Sequence, residues 1–417
     1  MTRVAVLGAG ITGVTTAYAL AKRGVNVTLI ERHRYAAMET SYANGGQLSA
    51  SHAEVWNHKA TLWNALKWMA RRDAPLLLHP TPGWHKLSWF AEFLAAMPDY
   101  ERNTIATARM AIAARAHLFA WAQSENIAFD HRRAGILHVY RDKAGFERAA
   151  GVSRLLAQGG LQRRAVSLLE MRAIEPALHG DFYGGYYTES DSTGDIHKFT
   201  SGLADACVRL GVACRYGTQV TALTREHGKV RVSVGVGVGE GEGEGEGEDS
   251  SVFDAVVVCA GTASRAMAAS LGDHVNVYPV KGYSITVQLD DAASQAAAPK
   301  VSLLDDATKL VSSRLGEDRL RVAGTAEFNG INYDIRADRI RPLVRWVEQC
   351  FPGINTRKVI PWAGLRPMLP AMLPKVGPGK APGVYYNTGH GHLGWTLAAA
   401  TAEMVAEALL NSSATSR

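Results

Sequence analysis

Between Arg3 and Glu31 the apolar and polar positions spell out a complete structural unit. Val4-Ala5-Val6-Leu7 is a short apolar run, and Gly8-Ala9-Gly10-Ile11-Thr12-Gly13 breaks it with three glycines. Apolar residues then recur at helical spacing from Ile11 to Arg23, Gly24 stops them, and a second apolar run, Val27 to Glu31, ends on an acid. The pattern predicts strand, tight turn, amphipathic helix and strand. A rival reading exists: Val4 to Ala21 carries no charge and is flanked by Arg3 and Lys22, as in a signal peptide or membrane helix. Three glycines weaken a helix, however, and no small-residue cleavage site follows before the next apolar run.

Further along, helices are predicted at Lys59 to Arg72 and Trp84 to Ala96, separated by Pro75, Pro80 and Pro82, and then at Tyr100 to Asn126. A strand at Ile136 to Tyr140, helices at Lys143 to Gln158 and Ser167 to Ile174, and a strand at Gly184 to Thr188 follow. Gly194-Asp195 leads into a helix, His197 to Leu210. Strands at Gly217 to Leu223 and Val230 to Val234 precede an insert, Gly235 to Glu248, in which Gly alternates first with Val and then with Glu. This insert lacks apolar periodicity and is dense in negative charge, so a disordered hairpin loop without chemistry is expected. Ala255 to Gly261 reads as a buried parallel strand whose end meets a ligand. Strands dominate from Val277 to Gly324, a helix runs from Arg339 to Cys350, and Trp362 to Pro367 and Gly383 to Asn387 are extended. A last helix ends near Leu410.

Composition narrows the class only modestly. The 417 residues suffice for two domains or one large one, and 20% charged residues fit a globular protein, while a net charge of +6 suits anionic substrates, an anionic membrane surface or nothing in particular. No Lys/Arg block suggests nucleic acid. Cys207, Cys214, Cys259 and Cys350 form neither a C-x-x-C pair nor a metal-ligand cluster, which makes a reducing compartment the default. Trp56, Trp63, Trp68, Trp84 and Trp89 lie among Lys59, Lys67, Arg71, Arg72 and Lys86. Two readings of this segment stand: core packing of a helical subdomain, or an aromatic–basic face resting on a membrane surface.

The first glycine unit has the chemistry of a dinucleotide site. Gly8 permits the tight turn, Gly10 lets the backbone approach a pyrophosphate, Gly13 lets helix and strand pack closely, and Glu31 can accept from ribose hydroxyls. The helix N-terminus aims free N–H groups at phosphate. Gly389, Gly391 and Gly394 repeat the device at the start of the last helix, where negative charge building on a reduced flavin would be stabilised. His390 and His392 form an H-x-H pair without the Cys or Asp neighbours a metal would need. Thr40 and Ser41, beside glycines, are suitable phosphate donors. Arg366 is the candidate for gripping a carboxylate through two parallel hydrogen bonds. Tyr283 is a second candidate for that carboxylate, with core packing as its alternative. Tyr333, His52 and His390 are further pocket candidates.

Several motifs in combination resemble a known family. They are the first glycine unit, Glu39-Thr40-Ser41-Tyr42-Ala43-Asn44-Gly45-Gly46-Gln47, Pro279-Val280-Lys281-Gly282-Tyr283-Ser284, Gly364-Leu365-Arg366-Pro367-Met368, and Asn387 to Thr396. Together they resemble the bacterial D-amino acid dehydrogenases of the FAD-dependent D-amino acid oxidase superfamily, nearly end to end. The Gly/Glu insert departs from the family pattern, and so does His392, where the family more often has a small polar residue.

The resemblance implies an α/β (α+β) fold: a Rossmann-like FAD-binding domain with a discontinuous second domain on a mixed or antiparallel sheet. The expected boundaries are 1–80 with 190–275 and 355–417 for FAD, and 81–189 with 276–354 for substrate. FAD would be held by Gly8, Gly10, Gly13, Glu31 and Arg32 at its ADP half. Thr40, Ser41, Asn44, Gly45, Gly46 and Gln47 would line the pyrophosphate and isoalloxazine, with Val220 at the adenine and Ala260 and Gly261 beside the cofactor. Gly389, His390, Gly391, Leu393, Gly394, Trp395 and Thr396 would meet the flavin's pyrimidine edge. Arg366 would bind the amino acid carboxylate. The implied reaction is oxidative deamination of a D-amino acid to a 2-oxo acid and ammonia, hydride leaving Cα for flavin N5. Electrons would pass to a quinone or another respiratory-chain acceptor other than oxygen. A cytoplasmic location follows, peripheral on the inner membrane through residues 56–97. The same scaffold leaves open an oxygen-using glycine, sarcosine or D-amino acid oxidase, a 2-hydroxy acid dehydrogenase, and a non-catalytic flavin-binding subunit.

Overall fold

A computed structural model describes residues 2–58, 61, 74–237 and 249–415 of the chain. The predicted helix Lys59 to Arg72, apart from residue 61, and most of the Gly/Glu insert lie outside these residues. The strands on either side of the insert, Lys229–Val236 and Asp249–Phe253, pair antiparallel.

The opening unit folds as its pattern requires. Strand Arg3–Leu7 is central in a six-stranded sheet, parallel to Asn26–Ile30 on one side and Ala255–Val258 on the other. Ala213–Arg215 and Val384–Thr388 extend it in parallel, and Lys375–Pro378 closes one edge antiparallel. Side chains alternate across the sheet. Val4 and Val6 enter a core with helix Ile11–Ala21, helix Ile196–Arg209 and the last helix, Gly394–Thr415. Ala5 and Leu7 face a second core under the three-stranded antiparallel sheet of Thr218–Glu226, Lys229–Val236 and Asp249–Phe253. Burial on both faces explains why this strand is a continuous apolar run. It also disposes of the signal-peptide reading, since Val4 to Ala21 is a strand, a turn and a core helix. The residues Gly391–Ser412 are long and apolar enough to cross a membrane, yet 67% of their apolar window is buried inside the fold.

The second sheet has nine strands and is mixed. Its longest strand, Tyr278–Gln288, lies second from one edge, antiparallel to both Arg319–Phe328 and the edge strand Val359–Met368. Helix Ala337–Cys350 covers one face through Leu343, Trp346 and Val347. The fold is therefore α/β (α+β), a Rossmann-like sheet joined to a discontinuous second unit. Two segments that the expected boundaries put with the nucleotide-binding part belong to the second sheet instead. Leu76–Leu78 pairs with Arg319–Phe328, and Val359–Met368 pairs with Tyr278–Gln288. Sequence order misplaces them because ladder hydrogen bonds join strands far apart in the chain.

The tryptophans divide. Trp89 is buried with Phe93, Tyr278 and Phe328, as core packing requires. Trp84 is 85% exposed, and Leu87 and Leu94 are also exposed on the same helix, Trp84–Ala95. Trp63 and Trp68 lie outside the described residues.

Candidate active site

Two glycine turns, from opposite ends of the chain, face one cavity of about 1300 Å³. That exceeds the roughly 300–1,000 Å³ of an ordinary small-ligand pocket and leaves room for a dinucleotide and a small substrate together. At the first turn Gly8 is left-handed, with φ +101°, and a Cβ there would lie 2.8 Å from the Cys259 carbonyl oxygen. Gly13 does not line the cavity. Its role is packing, because a Cβ on it would stand 1.8 Å from the Gly8 carbonyl oxygen. Glu31 is pinned beside this turn, accepting from the Ala9 N–H at 2.7 Å and the His33 N–H at 2.9 Å. Ser41 Oγ accepts from the Ile11 N–H at 3.0 Å, at the very start of the helix. Arg32 lines the cavity but is ion-paired with Glu39. Tyr333, whose hydroxyl reaches Glu39 at 3.3 Å, stands outside the main cavity.

Thr40 to Gln47 cross from the first sheet to the second. Ser284 donates to the Ala43 carbonyl and Ser313 to the Gly45 carbonyl, each at 2.7 Å, while Gln47 donates to Ser302 at 2.8 Å. These bonds stitch the segment along the seam between the sheets. Val220, Ala260 and Gly261 line the nucleotide end. At the second turn, Gly389 and Gly391 both have positive φ, and Gly391–Leu393 is one turn of 3₁₀ helix running into Gly394–Thr415. Leu393, Gly394, Trp395 and Thr396 line the cavity. His390 is buried, its Nε2 3.0 Å from Thr401 Oγ1, and burial pushes it down to about 3. Among the described residues no three His, Cys, Asp or Glu side chains converge on a metal position.

Arg366 lines the same cavity from the second sheet, on strand Val359–Met368. Its Nη1 donates to the Thr325 carbonyl at 2.7 Å, and no carboxylate faces it among the described residues. Burial lowers it to about 10, so it remains a cation at neutral pH. Space for the guanidinium comes from Gly282 on the neighbouring strand. A Cβ at Gly282 would lie 2.3–2.4 Å from its Nη1, Cζ and Nη2.

Tyr283 is placed differently from the expectation. Its hydroxyl donates to Glu327 Oε2 at 3.0 Å and reaches the Asp334 carbonyl at 3.4 Å. The ring is 1% exposed in the core with Ile285, Val287 and Leu343. Tyr283 lines the cavity, but its hydroxyl is already engaged by Glu327. A register shift between Lys281 and Tyr283 sets that direction, and no local pattern announces it.

Residues that sequence reasoning missed or ranked low complete the Arg366 end. His52 lies on a short helical turn, Ala50–His52, which buried Asp191 holds by accepting from the N–H groups of Ala50 and Ser51. Ser51 Oγ is 2.8 Å from His138 Nε2. His392 stacks on Trp56 at 5.0 Å and stands 4.8 Å from His52, centre to centre. Tyr140 and Arg163 also line this end. Within the strand Ile136–Tyr140 every residue is buried, so alternation marks no cavity face there.

Glycine turns, a fixed carboxylate and a half-buried cation on one continuous cavity suit an enzyme that holds a dinucleotide beside an anionic substrate. The comparisons agree. The model of the family described as FAD dependent oxidoreductase (DAO) matches residues 3–408, and the chain belongs to that family. It is 59% identical to a protein named D-amino acid dehydrogenase 3 from Mesorhizobium japonicum, over 97% of this chain and 96% of that one. A D-amino acid dehydrogenase of Dechloromonas aromatica is 41% identical over 97% and 96%. Among solved structures, glycine oxidase from Geobacillus kaustophilus shares the fold, with a TM-score of 0.75 at 17% identity over 99% of this chain and 95% of that one. The residues fit FAD, since Gly8 and Gly10 of the first turn and Gly389 and Gly391 of the second line the cavity with bare backbone, and Glu31 is fixed beside the first.

Proposed function

We propose that this protein oxidatively deaminates D-amino acids to 2-oxo acids and ammonia, passing electrons to a quinone or another acceptor that is not oxygen. One observation carries the reading: Arg366 is a half-buried cation without a carboxylate partner among the described residues, and it lines the same cavity as the two glycine turns. Drawing a charge partly out of water without a counter-ion is costly, so such a group marks the place of an anionic ligand. FAD, when bound, supplies the two-electron acceptor. Gly8, Gly10, Glu31, Thr40 to Gln47, Val220 and Gly389 to Thr396 would hold it.

The protein's own residues do the rest. Arg366 has N–H groups beyond those used on the Thr325 carbonyl, enough for a two-point grip on the substrate carboxylate. A fixed carboxylate decides which face of Cα meets the acceptor and so selects the hand of the substrate. The Arg366 cation disfavours an ammonium group beside it, so the substrate amine is expected to react in its neutral form, its proton released to solvent. Anaerobic flavin bleaching by a panel of D- and L-amino acids, followed by reoxidation with quinone or air, tests the proposal. Bleaching by D-amino acids with ammonia release and quinone reoxidation supports it. Bleaching by 2-hydroxy acids, or fast peroxide formation in air, overturns the substrate or the acceptor.

Peripheral attachment to the inner membrane belongs to the same proposal. Trp84, Leu87 and Leu94 supply an exposed apolar edge within the segment 56–97. Lys86 is less free than its sequence position suggests, donating to the carbonyls of His79 and Thr81. Replacing Trp84 and Leu87 by serine should abolish sedimentation with anionic vesicles.

A further inference from the structure

Arg366 is not the only cation of its kind in the cavity. Arg163 also lines it, and its guanidinium touches the Tyr140 hydroxyl at 3.3 Å and lies 5.0 Å over the Tyr186 ring, neither of which is a carboxylate. Its Nε is buried with no hydrogen-bond partner. The carboxylates nearest this end are already engaged: Tyr100 donates to Glu54 at 2.6 Å, and Lys309 pairs with Asp306.

Between the two arginines runs a row of imidazoles. His392 and His52 are 4.8 Å apart, and His52 and His138 are 6.4 Å apart. Arg366 acts on His392 and His52, Arg163 acts on His138 and His52, and Lys309, paired with Asp306, acts on His52 and His138. Burial, then Lys309 and the two arginines, push His52 down to about 3, and burial with His52 and Arg366 holds His392 well below its usual value. Both rings are thus neutral, each with one donor and one acceptor. Neither His392 nitrogen makes a well-formed hydrogen bond among the described residues, although the His52 main chain lies close by. A buried polar ring left in this state is waiting for a ligand group.

We propose that Arg163, with His52 and His392, forms a second anion-accepting subsite, so that the preferred substrates are D-amino acids with a carboxylate side chain, of the D-glutamate and D-aspartate class. The proposal rests on the D-amino acid reading above and adds the side chain. Arg366 takes the α-carboxylate, the histidines hydrogen-bond along the substrate, and Arg163 meets the distal carboxylate. The nucleotide phosphates are not competing ligands for Arg163, which sits by the second sheet near Tyr140 and Tyr186, away from the Gly8 turn.

Flavin bleaching by D-glutamate and by D-alanine in the holoenzyme tests this. The expected wild-type kcat/KM favours D-glutamate. Arg163→Leu should lower the D-glutamate to D-alanine ratio by at least about tenfold, with Arg163→Lys retaining part of it. A binding readout accompanies the kinetics: glutarate should perturb the bound-flavin spectrum at lower concentration than butyrate, and Arg163→Leu should erase that difference. A wild type that prefers D-alanine, or a ratio unmoved in Arg163→Leu, overturns the subsite. Failure of every D-amino acid to bleach the flavin overturns the underlying reading instead, and the glutarate–butyrate comparison then still decides the subsite.

Discussion

Substituting Gly282 by alanine isolates the position of Arg366 from its charge. The new methyl would stand 2.3 Å from Nη1 and 2.4 Å from Cζ and Nη2. Unstrained contacts need roughly 3.5 Å, so the guanidinium must move by about 1 Å. Gly282 has no left-handed φ, and the atoms it would meet are the tip of a flexible side chain, so the backbone can accept alanine. What suffers is the hydrogen bond to Thr325, at 2.7 Å, that aims the guanidinium. A misplacement of about 1 Å costs on the order of 100-fold in rate, or ~2.7 kcal/mol of transition-state stabilisation. The assay is anaerobic stopped-flow reduction of the bound flavin by a D-amino acid, with FAD content and Tm measured on the same preparation. Gly282→Ala should lose about 100-fold in kcat/KM while keeping FAD and Tm. Arg366→Leu should lose at least as much, and the double variant no more than Arg366→Leu alone, since both changes remove one aimed group. Wild-type kinetics in Gly282→Ala, or fully additive losses in the double variant, would refute the reasoning.

Three other outcomes follow from the same geometry. Gly13→Ala should lower Tm and yield apoprotein, because its Cβ would stand 1.8 Å from the Gly8 carbonyl oxygen and a clash with backbone costs about 1–3 kcal/mol; FAD absorbance per polypeptide reports it. Asp191→Asn should destabilise by roughly 3 kcal/mol in a denaturant titration, since Arg115 would lose a buried counter-ion and the turn Ala50–His52 its anchor. Burial holds His52 at about 3 in the folded protein, against ~6.5 unfolded. The unfolded chain therefore takes up the proton first as pH falls, so stability is lost below about 6.5, by ~2 kcal/mol between pH 7 and pH 5 from this residue alone. Tm measured across that range should fall, and His52→Gln should flatten the fall.

How much of this was legible depended on distance along the chain. The unit from Arg3 to Glu31 could be read directly because strand, turn, helix and acid are all local, and each glycine there has a separate physical task. Arg366 was legible through its motif. The seam bonds were not: Ser284 to Ala43 and Ser313 to Gly45 join residues far apart in sequence through a hydroxyl and a carbonyl, which have no sequence signature. The row of His52, His138 and His392 comes from three remote segments, and only its last member stood in a motif. The motif around Tyr283 fixes its strand but not the register shift beside it or the engagement of its hydroxyl by Glu327. Leu76–Leu78 and Val359–Met368 join the second sheet for a similar reason, since strand partnership is decided by pairing and not by chain order.

The central position of strand Arg3–Leu7 has a consequence during synthesis. One flank is met at once by Asn26–Ile30, but the other waits for Ala255–Val258. At about 5–20 residues per second, a ribosome leaves that edge open for on the order of ten seconds or more. Through this interval a doubly apolar strand offers its free N–H and C=O groups to any neighbouring nascent chain, and on a polysome the nearest neighbours carry the same strand. Yield of the folded protein should therefore depend on translation speed between residues 31 and 258, and on chaperones that cover the N-terminus while it waits.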